Sequence, residues 1–238
     1  SNVADLLALG LDSKNAYIYK QSCERRVTNM AYVLSRRVTH ATLKALYGER
    51  DMSLYMAALT QVGDILLPQH GDFGGPVQVL VPIGVDQDPH IRFARDIAFK
   101  EKLVLPAATY HKIMKSLLGE AKMSKRDPNS TLSLSDSLVV AKKKLMNAFS
   151  GGRATAEEQR RLGGEIEKDV LYEVMKFHFI ENDGVLEEMK RDMESGKMLT
   201  GEYKQKYIPY ALEWLKAHQA KKKEMLPKAR KILAKAEG

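Results

Sequence analysis

The chain has 238 residues, one cysteine and a net charge of +8 at neutral pH. That length makes one large domain or two modest ones, and an apolar content of 44% is ordinary for a globular protein. A lone Cys23 excludes an internal disulfide, and without a Cys-x-x-Cys pair no structural zinc site is expected; a reducing, cytoplasmic compartment fits. No apolar run approaches the ~18 residues needed to span a bilayer, and no signal-peptide pattern is visible. The basic excess is shared by both halves of the chain and suits a polyanion partner such as RNA.

In chain order, Val3 to Leu11 read as a short amphipathic helix ended by Gly10. Asn15 to Tyr19 contain Ala-Tyr-Ile-Tyr and predict a strand. Glu24 to Leu46 read as one basic helical stretch closed near Gly48. Met52 to Leu66 are apolar at helical spacing, with Gln61 inside and Pro68 as the stop. Gln69 to Pro76 are glycine-rich without a phosphate-loop pattern and predict a turn. Val77 to Val85 form a near-continuous β-branched run, the pattern of a strand buried on both faces in a parallel sheet. It leads into Asp86-Gln87-Asp88-Pro89, with Asp88 predicted as the N-cap of a helix and Pro89 as its first residue. This order of strand, polar corner and helix puts Gly84, Asp86 and Gln87 beyond the carboxyl end of a strand, where open α/β sheets bind ligands. Read from the residues alone, the two aspartates serve equally well as helix caps. Leu103 to Tyr110 predict a further strand.

Ala121 to Ser130 follow as a charged loop. Lys122 and Lys125 flank the Ser124 hydroxyl, ahead of a turn-forming Asp127-Pro128-Asn129. Lysine binds phosphate as a movable point charge, and stabilising a transferring phosphate is mostly positioning and electrostatics. A solvated surface loop is the competing interpretation. From Ser137 onward the pattern becomes helical throughout. Ser135 or Asp136 is predicted to cap a helix through Phe149, and Thr155 with Glu158 forms a capping-box spacing. Segments 169–180, 185–194 and 201–225 predict three more helices, with Pro209 expected to kink or interrupt the last. His40, His70, His111, His178 and His218 lack metal-ligand spacing and read as structural. His90 sits beside the corner and receives no chemical role.

Lys122-Met123-Ser124-Lys125 resembles the mobile KMSKS loop of class I aminoacyl-tRNA synthetases, with Arg126 where many members carry the final serine. The run Val81-Pro82-Ile83-Gly84-Val85-Asp86-Gln87-Asp88-Pro89-His90 resembles the tryptophanyl-tRNA synthetases of archaeal and eukaryotic type. So do Phe149-Ser150-Gly151-Gly152-Arg153 and Met198-Leu199-Thr200-Gly201-Glu202. The His-x-Gly-His motif of a complete member does not occur in the chain. The resemblance therefore implies a C-terminal portion of such an enzyme. Its fold is expected to be α/β: the second half of a Rossmann-like catalytic domain over residues 1–137, then an all-α anticodon-binding domain over residues 138–238.

What the resemblance implies for function is ATP-dependent attachment of tryptophan to its tRNA through tryptophanyl-adenylate, with Mg²⁺ accompanying ATP and no protein metal site. Lys122, Ser124 and Lys125 would stabilise the leaving pyrophosphate. Gly84, Asp86 and the Met123 backbone would hold the nucleotide, and Gln61 and Gln87 would hydrogen-bond the tryptophan amino group. Arg153 and Lys204 would contact the tRNA, and the full-length protein would be a homodimer. The chain alone is expected to be inactive. Competing functions are a helical tRNA-binding module without catalysis and a tyrosine–tRNA ligase.

Overall fold

The computed structural model describes residues 2–236 other than Lys122, Ser124 and Lys125. Those residues are mostly helical with a small parallel sheet, and they divide into two compact units. One consists of Ala16–Ile113 with the last residues from Arg230; the other consists of residues up to Asn15 with Met114–Ala229.

In the first of these, the β-branched run forms β1 (Leu80–Gly84), which pairs in parallel with β2 (Ala107–His111) in the register Leu80 to Ala107 and Gly84 to His111. A parallel pair requires a crossover, and it is made by the helix Asp88–Lys100. The helix Met52–Leu66 has the predicted bounds. Its Tyr55, Leu59, Val62 and Leu66 are buried in one core with Ile91, Phe93, Ala94 and Ile97 of the crossover helix and with Ala31 and Leu34. Val81 and Ile83 of β1 pack against that core. The opposite, double-sided burial expected of β1 is absent: Leu80 is 63% exposed, because β1 has β2 as its one partner among the described residues.

Three local expectations in this unit are corrected. Asn15 to Tyr19 form no strand. The segment is pinned by its side chains: the Tyr17 hydroxyl donates to Glu24 and the Tyr19 hydroxyl to Asp64 at 2.8 Å. The single helix read from Glu24 to Leu46 is two helices, Arg25–Ser35 and His40–Tyr47. The Thr39 side chain accepts from the amide of Thr42 and starts the second, while Arg36 and Arg37 both turn onto Glu101 at 2.9 and 2.5 Å. The second strand begins at Ala107 and not at Leu103, because the Val104 amide and carbonyl are taken by the side chain of Gln69.

The other unit is built on residues 200–229 of the long helix Thr200–Lys235, whose Tyr203, Tyr207, Ile208 and Ala211 enter a core with Leu145, Val170, Leu171, Met175, Met189 and Met193. Pro209 does not interrupt it. A mid-helix proline costs about 3 kcal/mol, which the burial of the flanking Ile208 and Ala211 offsets. The preceding helix Leu138–Met146 is capped by Ser137, one residue later than read, through the Val140 amide. Asp136 instead pairs with Lys144 at 2.7 Å. Thr155 accepts from the Glu158 amide as its spacing predicts. The spatial division at Ile113 and Met114 precedes the change of pattern at Ser137. Residues 114–137 belong with the helices because Leu117 is fully buried in their core and its carbonyl accepts from Phe149 at 2.6 Å. The first helix, Asn2–Ala8, joins the same unit through Asp5, which meets His218 at 2.9 Å and Lys222 at 2.8 Å. No helix among the described residues is long and apolar enough to cross a membrane.

Two measurements check this account. Leu145→Ala should lower stability by about 2–5 kcal/mol in urea melts, while Val139→Ala, at a position 79% exposed, should stay within about 0.5 kcal/mol. The Glu24 carboxyl is pulled down to about 2 by Arg26, with Tyr17 assisting against burial. Its folded value lies below the ordinary 4.5, so its contribution is complete above that pH and is lost as pH falls toward 2. The acid limb of the stability profile should therefore be shallower in Glu24→Gln than in the native chain.

Candidate functional site

The corner after β1 is a single 3-10 turn, Val85–Gln87, that runs directly into the crossover helix. Gln87 occupies the N-cap position, and Asp88 is the first helical residue, so the cap expected of Asp88 is not formed. Its carboxylate accepts from the Tyr110 hydroxyl of β2 at 2.5 Å and meets Arg92 one helical turn on at 2.5 Å. The Tyr110 bond first, and then the nearby arginines, hold Asp88 below the usual carboxylate range. Asp88 thus ties the helix start to the end of the sheet. At Gly84 the absence of a side chain matters: a Cβ there would lie 2.7 Å from Oδ1 of Asp86. The exposed Asp86 folds back over the end of β1 in the space this leaves.

Gln61 and Gln87, 26 positions apart, come together. Gln61 Nε2 donates to Gln87 Oε1 at 3.3 Å, and both side chains are half-buried. The helix Met52–Leu66 supplies one and the corner the other. Beside them lies a cavity of about 340 Å³ lined by Tyr47, Arg50, Leu54, Ala57, Ala58, Gln61 and His90. Tyr47 and His90 are stacked, with ring centroids 5.2 Å apart and the hydroxyl 2.9 Å from Nδ1. Burial pushes the Tyr47 phenol up to about 12. Burial also lowers His90 below the usual imidazole range, with Asp86 opposing. Both groups are therefore neutral near pH 7. Sequence reading missed Tyr47 and Arg50, and left His90 without a role; nothing in their local pattern distinguishes them from ordinary helix-end residues.

Of the charged loop, Lys122, Ser124 and Lys125 lie outside the described residues. Met123 is half-buried. The two ends of the loop are joined: the Leu117 amide donates to the Ser130 carbonyl at 2.8 Å, and Ser130, fully buried, donates its amide and its hydroxyl to the Asp127 carbonyl.

Arg153 and Lys204 have different settings. Arg153 is half-buried; its Nε donates to the Gly163 carbonyl at 2.8 Å and its Nη1 meets Glu165. Lys204, expected to reach tRNA, is instead 6% exposed. Its Nζ donates to the carbonyls of Met146 at 2.9 Å and Ala148 at 2.6 Å. Those acceptors lie at the end of the helix Leu138–Met146, where unpaired carbonyls favour a cation. Burial lowers the Lys204 ammonium, and Asp169 opposes that effect. Asp169 itself is raised by burial; it accepts from the amides of Gly151 at 3.2 Å and Tyr172 at 2.7 Å. Gly151 tolerates no side chain, since a Cβ would sit 1.9 Å from the Glu165 carbonyl. The segment Ala148–Arg153 is therefore clamped by Lys204, Asp169 and Glu165. Lys204→Met should cost about 1–3 kcal/mol in urea melts, because it strips two buried carbonyls of their donor.

Residues 1–213 match the model of the tRNA synthetases class I (W and Y). A tryptophan–tRNA ligase of Hyperthermus butylicus is 45% identical over 91% of this chain and 60% of its own length. That of Archaeoglobus fulgidus is 34% identical over 92% of this chain and 67% of its own length. The crystal structure of tryptophanyl-tRNA synthetase from Aeropyrum pernix superimposes with a TM-score of 0.91 at 40% identity, covering 97% of this chain and 64% of that one. The chain thus spans about 60% of the length of the curated relatives it matches. Its sequence and its fold place it in the class I tRNA synthetase family, within the tryptophanyl-tRNA synthetases.

Proposed function

We propose that the chain carries part of the machinery of an ATP-dependent tryptophan–tRNA ligase. The observation that supports this most is the Gln61–Gln87 pair at the carboxyl end of β1. Two amides from distant elements converge where a parallel sheet presents its ligands. An amide oxygen accepts from an ammonium without adding a full charge, which suits the amino group of a bound amino acid.

On this reading the sheet and its crossover are the second half of a Rossmann-like nucleotide-binding domain, and the helical unit is an anticodon-binding domain. The tryptophan carboxylate attacks the α-phosphate of ATP, tryptophanyl-adenylate forms and pyrophosphate leaves; the terminal ribose of tRNA then accepts the aminoacyl group. Gly84 lets the nucleotide approach the backbone, and Asp86 accepts from the ribose hydroxyls. The Met123 backbone lies along the adenine, while Lys122, Ser124 and Lys125 stabilise the charge that develops on pyrophosphate. Mg²⁺ enters with ATP, shared between phosphates and water. Among the described residues no three His, Cys, Asp or Glu side chains are grouped to hold a metal. Arg153 contacts the tRNA directly, whereas Lys204 acts by fixing the segment that presents Arg153. The full-length protein works as a homodimer in the cytoplasm.

Amino-acid-dependent exchange of pyrophosphate into ATP tests this reading. The product of the full-length gene should exchange with tryptophan and not with tyrosine. The chain alone, at about 60% of its relatives' length, should exchange negligibly yet bind tRNA with an affinity that falls steeply with salt. Tyrosine-dependent exchange, or an absence of exchange in the full-length product, would overturn the assignment; strong exchange by the chain alone would overturn its incompleteness.

A further inference from the structure

The crossover helix Asp88–Lys100 starts without an acidic cap. Its N-cap, Gln87, makes no capping bond through its side chain, and Asp88, the first helical residue, turns its carboxylate outward. Oδ1 accepts from the Tyr110 hydroxyl at 2.5 Å, and Oδ2 meets Arg92. These two bonds are unequal. The Arg92 side chain is 74% exposed, so solvent screens its charge. Tyr110 belongs to β2, where it stands opposite Ile83 in the register of the sheet. Ala108 packs against the core that the crossover helix enters, and Tyr110, two residues on in the same strand, projects to the same face. Its ring is 46% exposed and is no core anchor. Asp88 also acts through its backbone: its amide donates to the Val85 carbonyl and closes the 3-10 turn Val85–Gln87. The turn that presents Asp86 and Gln87 is thus referenced to β2 through one residue. The contact between the two amides does not supply that reference, since Gln61 reaches Gln87 at 3.3 Å, which is long for a hydrogen bond.

We propose that Tyr110 is a positioning residue for Gln87: acting through Asp88, it sets the turn from which Gln87 meets its ligand, and it touches no ligand itself. A hydroxyl donating to a carboxylate makes a short, charge-assisted bond, roughly twice as strong as one between neutral groups. Here that bond joins the end of one strand to the residue that closes the corner after its neighbour. Without it, Asp88 keeps a screened surface pair that cannot hold the turn to the sheet. A binding group works only when the residues behind it lock its geometry. The inference deepens the amino-acid reading of Gln87 and rests on it.

The chain itself gives the structural arm of the test and the product of the full-length gene gives the functional arm. Tyr110→Phe removes one hydroxyl and leaves the ring. In the chain, followed by NMR, this variant should raise the pH at which the Asp88 carboxyl titrates, because the Tyr110 bond is the first cause of its low value. It should speed hydrogen exchange of the Asp88 amide by about threefold to tenfold and shift the side-chain amide resonances of Gln87. Arg92→Gln should leave the Gln87 resonances in place. In the full-length product, Tyr110→Phe should raise the KM for tryptophan by about fivefold, and Arg92→Gln should not. Asp88→Asn still accepts from the Tyr110 hydroxyl and should fall between Tyr110→Phe and the native protein, a graded rescue that a loss of packing would not produce. The proposal is overturned if Tyr110→Phe leaves the Asp88 titration and the Gln87 resonances unmoved, or if Arg92→Gln moves the Gln87 resonances as far. It is also overturned if Gln87→Leu raises the KM for tryptophan while Tyr110→Phe does not. Should Gln87→Leu itself leave that KM unchanged, the amino-acid reading falls, and the resonances of the chain still decide whether Tyr110 positions Gln87.

Discussion

The parallel pairing of Leu80–Gly84 with Ala107–His111 constrains everything near the candidate site. A parallel pair cannot be closed by a hairpin, so the chain must cross over the sheet, and the crossover helix begins at the corner itself. Asp88 then locks the helix start to the neighbouring strand through Tyr110. Ile91, Ala94 and Ile97 of that helix share a core with Tyr55, Leu59 and Val62 of the helix Met52–Leu66. That packing delivers Gln61 to Gln87 and sets His90 against Tyr47. The polar contacts of the site are thus consequences of an apolar interface, which supplies the stability that weak amide–amide bonds do not.

In the helical unit the comparable role falls to a buried cation. Lys204 is held under the surface by two carbonyls and sits in the field of Asp169. Removing one partner of such an arrangement leaves the other uncompensated, so the two residues are interdependent. Their common effect is a fixed path for Ala148 to Arg153, between the core and a partly exposed arginine. The joined ends of the charged loop draw on the same frame, since Phe149 donates to the Leu117 carbonyl and the Leu117 amide donates to that of Ser130.

The basic excess of the composition is a weaker guide to the surface than it first reads. Lys144 is tied to Asp136 and to the Thr131 carbonyl, Lys222 to Asp5, and Lys206 to both Glu188 and Asp192. Within the runs Lys142–Lys144 and Lys221–Lys223, the middle or last lysine is thus engaged by the fold, while Lys142, Lys143, Lys221 and Lys223 remain exposed. Net charge sets the long-range field that attracts a polyanion, but the cations free to touch one are chosen by packing.

The sequence by itself determined several of the local elements. Apolar spacing set the bounds of the helix Met52–Leu66, β-branched residues set β1, and Thr155 with Glu158 set a cap; each depends on neighbours within a turn or a strand. The order of strand, corner and helix also put Gly84, Asp86 and Gln87 together before any coordinates, because they are adjacent in the chain. Tertiary structure alone decided the rest. Tyr17 and Tyr19 have strand-forming character yet are drawn off by Glu24 and Asp64, and Pro209 is carried within a helix by burial on both sides. Lys204, which the resemblance implies as a tRNA contact, is consumed by carbonyls 56 and 58 positions away. Tyr47 and Arg50 join Gln61 and His90 at one cavity. Such pairings join residues far apart in the chain, and which of many possible partners a side chain meets is settled when the apolar cores close.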